Sequence, residues 1–318
     1  MVEDSRISDE TRQRILQQAR LLNYIPNSAA RKLRHGRSKI SVIGFLINDI
    51  THPFYSLMVQ AAEKTAARHG YEILVGDTQW NPAKEVAEVK HMIESRVDGV
   101  LACLSERTRE STGLLDGFAV PYLMLDTTPR EYRGACVVND LAEASRIAVS
   151  HLIQVGCRRL AFLAADESMA HFSAFTKLRE EFARAVRARG LPFEPSQIIR
   201  AGLSIEAGQS AFEEALRVCP GVEGIFCVNT LCALGVIEAA DRRGVRVGRE
   251  VAVMGVDDLD ICSLSRISLT TIRQPYDQLA ELATEYLVGA IENGAAPTMR
   301  QSLKPELVAR QSTRFGNR

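Results

Sequence analysis

From Ile40 onward, short unbroken apolar runs alternate with stretches in which apolar residues recur every three or four positions. Runs of the first kind suit strands buried on both faces. Stretches of the second kind suit amphipathic helices. Strands are predicted over 41–47, 71–75, 97–103, 122–125, 137–138, 160–164, 198–200, 224–228, 251–256, 269–272, 300–304 and 307–310. Helices are predicted over 53–69, 82–95, 140–154, 172–189, 204–218, 231–243 and 275–292. Pro53 in a first turn, and Gly70, Gly156, Gly190, Gly244 and Gly294 at or just past helix ends, punctuate the pattern. The alternation specifies an α/β fold with doubly wound parallel sheets. The strands are too many for one comfortable sheet, so two such subdomains are expected.

Upstream the pattern changes. Ser8 can cap a helix with Asp9 and Glu10 in its first turn, and Ile15, Ala19 and Leu22 recur at helical spacing over 9–22. A lone helix of this length is marginal in water unless its apolar face is covered, and only seven residues precede Ser8. Pro26 ends the connection, and Asn27 can cap a short second helix over 28–34. Ala29 and Ala30 leave one of its sides bare, while Arg31, Lys32 and Arg34 carry charge.

Composition is that of a soluble globular protein, and the 318 residues have no net charge. The distribution is uneven. Residues 11–40 contain Arg12, Arg14, Arg20, Arg31, Lys32, Arg34, Arg37 and Lys39 and no Asp or Glu. Such a basic segment suits contact with nucleic acid. The seven cysteines are odd in number, form no C-x-x-C pair and lie mostly in apolar runs, as in 100–104 and 224–228. They are expected to be buried free thiols in a reducing compartment. No apolar run reaches the ~18 residues of a membrane span, and the charged N-terminus has no apolar signal core. A cytoplasmic protein without membrane association is expected.

Ligands of parallel sheets bind outside the carboxyl ends of the strands. That directs attention to 48–55, Asp77, Ser105, Asp126, 166–177, Asn229 and 257–260. Acids and amides at strand ends beside an aromatic platform suit a hydroxyl-rich ligand such as a sugar. Phe54 and Tyr55 can form the platform, although a phenylalanine at a helix start also fits plain core packing. Asp257, Asp258 and Asp260 suit hydrogen bonding and loop capping better than a metal, and neither metal nor cofactor is expected. The six histidines are scattered, and His151, within a helix, reads as packed or surface. The chain carries no G-x-S-x-G, H-E-x-x-H, G-x-x-x-x-G-K-[ST] or G-x-G-x-x-G motif, so no enzyme is indicated.

At this point the chain resembles the LacI family of bacterial transcription repressors. The resemblance runs through YIPNSAARKLRHGRS, SVIGFLINDITHPFYSLMVQAAEKTAARHGYEILV, RVDGVLAC, PYLMLD and GIFCVNTLCALGVIEAADRRGVRVGREVAVMGVDD, followed by LTTIRQPYDQLAELA. It implies a periplasmic-binding-protein-like pair of α/β subdomains joined by three crossovers, behind an N-terminal helix-turn-helix. In these terms residues 1–38 are a partial DNA-binding region with a hinge helix over 27–35, and residues 39–318 are the effector-binding and dimerisation domain. The first subdomain takes about 39–140 plus 273–298, and the second about 141–272 plus 299–318.

The resemblance implies that Asn27, Ser28, Arg31, Leu33 and Arg34 contact operator DNA. Leu33 would be the wedge in the minor groove, since an apolar wedge unstacks a base step while basic neighbours hold phosphates. It implies that Phe54, Tyr55, Asp126, Asn229 and Asp257 contact a small effector, a sugar, sugar acid or sugar phosphate, and that the protein works as a homodimer. Four departures stand out. The arginine usual four residues before a helix phenylalanine is Leu178 here, with Glu181 in place of a glycine. Arg179 or Lys177 can substitute, and Arg179 is the candidate. The usual Asn-Asp pair is Asn229-Thr230, and an often aromatic position is Leu203. The family's first two DNA-reading helices have no counterpart in this sequence, so sequence-specific operator binding is expected of the complete protein. A periplasmic-type sugar-binding protein without DNA binding shares this fold, but it needs export and has no use for the basic segment.

Overall fold

The computed structural model describes residues 8–21, 41–105, 109–126, 128–169 and 172–314. The expected hinge helix, with Asn27, Ser28, Arg31, Leu33 and Arg34, lies outside them. The chain divides into Met1–Ser41 and Val42–Arg318. In the first unit, helix α1 (Asp9–Leu21) begins at Ser8, whose hydroxyl accepts the Thr11 backbone N–H at 3.4 Å.

The second unit contains two six-stranded sheets. In chain order its elements are β1 (Ser41–Ile47), α2 (Pro53–Arg68), β2 (Tyr71–Asp77), α3 (Pro82–Glu94), β3 (Gly99–Ala102), α4 (Arg109–Gly117), β4 (Tyr122–Asp126), β5 (Cys136–Asn139), α5 (Leu141–Gln154), β6 (Leu160–Ala164), α6 (Ser173–Ala188), β7 (Ile198–Arg200), α7 (Ile205–Val218), β8 (Gly224–Cys227), α8 (Thr230–Arg242), β9 (Ala252–Val256), β10 (Thr270–Arg273), α9 (Tyr276–Glu292), β11 (Arg300–Leu303) and β12 (Glu306–Val308). The first sheet runs β11-β5-β4-β3-β1-β2, and the second runs β12-β10-β9-β8-β6-β7. Within them β1, β3, β4, β5 and β11 are parallel, as are β7, β6, β8, β9 and β10, and β12 pairs antiparallel with β10.

The buried runs found in the sequence are the central strands: β3, β6, β8 and β9 are buried at every position, as strands covered by helices on both faces must be. Helix starts follow local chemistry. The side chains of Asn81, Asp140, Ser204 and Asn229 each accept a backbone N–H from the first turn of the following helix. Helices α7 and α8 pack through Gly208 and Gly235. A Cβ at Gly208 would overlap the Cys232 carbonyl, and one at Gly235 the Ile205 carbonyl. All seven cysteines are free and buried.

The chain passes between the sheets after β5, after β10 and after β11. The third passage corrects an expected boundary, because residues 299–318 do not all belong with the second sheet. Strand β11 pairs in parallel with β5 of the first, matching Arg300 to Cys136 and Leu303 to Asn139. Helix α9 packs on that sheet, and the strand after it adds to the same edge before the chain leaves. The strand RQSL is polar and mostly exposed, so nothing in its pattern marked which sheet it would join. Helix α4 was not anticipated either. It is short, and only Ser111 and Leu115 of it are buried.

Candidate functional site

The carboxyl ends of β1, β4, β8 and β9 converge on a cavity of about 60 Å³ between the two sheets. The first sheet contributes Asn48, His52, Phe54, Tyr55, Trp80 and Asp126. The second contributes Phe172, Phe175, Leu178, Asn229 and Asp257, and Gln274 comes from the passage after β10. Space of that size holds on the order of four or five waters.

Two carboxylates dominate the chemistry. Asp126 ends β4 and Asp257 follows β9, and they are 7% and 5% exposed. Both sit at positive φ, 65° and 68°, a conformation that a short polar side chain tolerates better than a bulky one. Each accepts one amide N–H at 2.7 Å, Asp126 from Asn139 Nδ2 and Asp257 from Gln274 Nε2. Burial pushes the Asp126 carboxyl up to about 6, against the Asn139 hydrogen bond and the charge of Lys177. Burial pushes Asp257 up to about 7, against the Gln274 hydrogen bond and with added repulsion from Asp126. The two acids therefore feel each other across the cavity.

His52 and Asn229 join the two sheets. Asn229 Oδ1 accepts the Cys232 backbone N–H at 2.8 Å, which fixes the orientation of its amide. Its Nδ2 donates to the Leu203 carbonyl at 2.9 Å and reaches His52 Nε2 at 3.1 Å. His52 Nε2 must then accept, so the ring proton lies on Nδ1. That Nδ1 is buried without a hydrogen-bond partner, as are Asn139 Oδ1 and Gln274 Oε1. Burial lowers the His52 pKa despite the nearby charge of Asp49, which keeps the ring neutral. Buried unpaired polar atoms cost free energy, and their concentration here points to a missing partner.

Aromatic rings supply the walls. Trp80 packs edge-on against Phe172 at 4.7 Å between centroids and lies 5.3 Å from Phe175. Tyr55 lies 5.9 Å from Trp80 and 4.9 Å from Phe54, and Phe54 lies 5.1 Å from Tyr276. Asn48 donates to the Tyr55 hydroxyl at 3.1 Å and fixes that ring.

The structure thus brings Phe54, Tyr55, Asp126, Asn229 and Asp257 around one cavity, and Phe54 also packs in the core. Arg179 is not with them. Leu178 takes the wall position, while Arg179 is 28% exposed by side chain and lies 3.9 Å from Glu180. One step along a helix is a ~100° rotation, enough to turn a neighbouring side chain away from the cavity. Sequence reasoning missed His52, Trp80, Phe172, Phe175 and Gln274. His52, Phe172 and Phe175 do fall in loops singled out by position, and Trp80 is the single tryptophan, three residues past a strand end. Asp258 looks away from this site, since its carboxylate is shared by Arg310 and Arg273 at 2.6 Å each. Among the described residues no group of His, Cys, Asp or Glu could hold a metal ion.

Comparison with known proteins agrees with this fold. A family model described as a periplasmic binding protein-like domain matches residues 149–313. The HTH-type transcriptional repressor CytR of Escherichia coli strain K12 is 26% identical over 316 residues, 99% of this chain and 91% of the relative. The HTH-type transcriptional repressor PurR of Pasteurella multocida is 27% identical over 309 residues, 97% of this chain and 91% of the relative. Among solved structures, the Lac repressor bound to ONPG in the repressed state superposes with a TM-score of 0.83 at 24% identity, covering 98% of this chain and 93% of that one.

Proposed function

Because this chain belongs to the LacI family of bacterial transcription regulators, with a periplasmic-binding-protein-like sensor, we propose that it is an effector-responsive, cytoplasmic repressor acting as a homodimer on operator DNA. Its effector is a small, hydroxylated molecule held between the two sheets. The observation that carries this reading is the cavity itself. Two buried carboxylates, two unpartnered polar atoms and a wall of aromatic rings line it, with both sheets contributing. Among the described residues no helix is long and apolar enough to cross a membrane.

The mechanism is a population shift. The cavity as it stands is smaller than a hexose, so a ligand of that size binds a form in which the two sheets have moved apart about their three connections. A ligand that prefers one separation of the sheets biases whatever else depends on it. In this reading Asn27, Ser28, Arg31, Leu33 and Arg34 are the dependent part, contacting operator DNA with Leu33 as the minor-groove wedge.

The test has two stages. Small hydroxylated compounds are screened for a rise in melting temperature, since a ligand that binds only the folded state stabilises it by mass action. Compounds that score are added to a gel shift with the protein and the DNA upstream of its own gene. Retardation that changes with ligand is expected. Ligand-independent retardation refutes the sensing role, and no retardation at all refutes DNA binding by this chain.

A further inference from the structure

We infer that the small molecule taken by this cavity carries a protonated nitrogen, held between the carboxylates of Asp126 and Asp257 and walled by Trp80, Phe172 and Phe175. The inference rests on the effector reading above and narrows it to a polyhydroxylated amine, such as an amino sugar or iminosugar.

The charge balance of the lining comes first. Asp126 and Asp257 enter from different sheets, each has one amide N–H donated to it, and each keeps acceptor capacity unused by those bonds. Among the described residues that line the cavity there is no lysine or arginine. The position where the family resemblance calls for arginine is Leu178, which is 3% exposed. Lys177 lies close enough to lower the Asp126 pKa, yet it is not part of the lining, and its Nζ donates to the Thr128 carbonyl at 2.9 Å. Among the described residues, the remaining titratable groups beside the pair bring no positive charge. His52 is held neutral, and the pKa values of Tyr55, Cys103 and Tyr276 are all raised by burial, with the acids adding to the effect. Two carboxylates facing one buried space, with the Lys177 charge felt by Asp126 and no positive charge felt by Asp257, are costly, and a cation between them offsets that cost on both sides at once.

The hydrogen-bond inventory points the same way. Gln274 Oε1, in the lining, is an acceptor, because its amide nitrogen is committed to Asp257. An ammonium group offers only donors. Among the described residues of the lining, His52 Nδ1–H is the orphaned donor, and it asks for a single oxygen acceptor, as a ligand hydroxyl provides. Trp80, Phe172 and Phe175 line the same cavity, and aromatic quadrupoles attract organic cations in desolvated sites. A carboxylate or phosphate on the ligand would meet two like charges instead.

The experiment is isothermal titration of the purified protein at about pH 7.5 with matched sets. Each set holds a hexosamine or ring-nitrogen iminosugar, the parent hexose and the corresponding hexuronate. An amine is expected to bind at least tenfold more tightly than its parent hexose, with the hexuronate showing no heat. Its affinity is expected to fall roughly tenfold per unit as pH drops from about 7 to about 6, and more steeply below that, where both carboxylates take up protons. In Asp257→Asn, which is isosteric and still accepts the Gln274 amide, the amine should lose at least tenfold in affinity while the melting temperature does not fall. A hexuronate that outbinds the amine, or an amine no tighter than its hexose, overturns the charge inference and leaves the effector reading intact. A panel in which nothing binds also overturns this inference, and the ligand-dependent gel shift then decides the effector reading separately.

Discussion

Replacing Asp257 with asparagine should stabilise the ligand-free protein, and the gain should depend on pH. In the folded chain this carboxyl titrates near 7 instead of its ordinary 3.8, chiefly because it is buried. At about 1.36 kcal/mol per tenfold step, a displacement of roughly three steps sets the cost of its charged form at about 4 kcal/mol. The folded value is raised, so the native state holds the proton that the unfolded state has released. The associated stability is fully present below pH 3.8 and is lost as pH rises through about 7. At pH 8 the wild-type protein carries the whole cost, whereas the variant has no charge to bury and still accepts the Gln274 N–H. The variant should therefore be more stable by about 2–4 kcal/mol at pH 8, on the order of 3–6 °C in Tm for a chain of this size. The advantage should shrink to about 1–1.5 kcal/mol at pH 5, which lies only a little more than one tenfold step above the ordinary value of the unfolded carboxyl. Asp126 titrates near 6 with the same sign and interacts with Asp257, so the wild-type pH slope belongs to the pair. Urea and thermal melts of both proteins across pH 5–8.5 at constant ionic strength measure this directly. A variant less stable than wild type at pH 8, or a difference that does not change with pH, would refute the account of Asp257 as a buried, repelled charge.

Three further outcomes follow from the packing. Gly235→Ala forces a methyl group onto the Ile205 carbonyl between α7 and α8 and should cost about 2–3 kcal/mol in urea denaturation, and an unchanged midpoint would contradict the close approach. Arg310→Met leaves the Asp258 carboxylate, whose side chain is 4% exposed, with only the more exposed Arg273 as a charged partner. A loss of about 3 kcal/mol at pH 7 is expected, and a loss below about 1 kcal/mol would demote the pair to an ordinary surface bridge. Trp80 is the single tryptophan, so any ligand that enters the cavity should change the intrinsic emission, and Trp80→Phe should abolish that signal. Saturating ligand with no change in emission would remove Trp80 from the wall.

The core of the fold was open to reading because its strands are covered on both faces, which leaves unbroken apolar runs such as Ala252–Val256. Strand β11 escaped because an exposed edge strand needs no apolar pattern, and its partner is set by where α9 delivers it. At the site, position after a strand end was enough to find Asp126, Asn229 and Asp257. Side-chain direction was not legible: Arg179 and Leu178 are adjacent in sequence, yet only the second lines the cavity. Trp80, Phe172 and Gln274 come from three loops whose meeting depends on the opposition of the sheets, which no local pattern encodes. The orphaned His52 Nδ1 follows from a tautomer fixed by Asn229, a constraint visible only in three dimensions.

The seven inward-facing thiols have a practical consequence. Burial raises the pKa of Cys103, Cys136, Cys157, Cys219, Cys227 and Cys262, so at neutral pH these sulfurs are protonated as well as shielded. The native chain is therefore nearly silent toward maleimides. A cysteine introduced on the outer surface of each sheet would be labelled selectively, with no need for a background stripped of its own sulfurs. A dye or spin label at each of those two positions would turn the distance between the sheets into a spectroscopic ruler, read in the otherwise unmodified regulator while ligand and DNA are added.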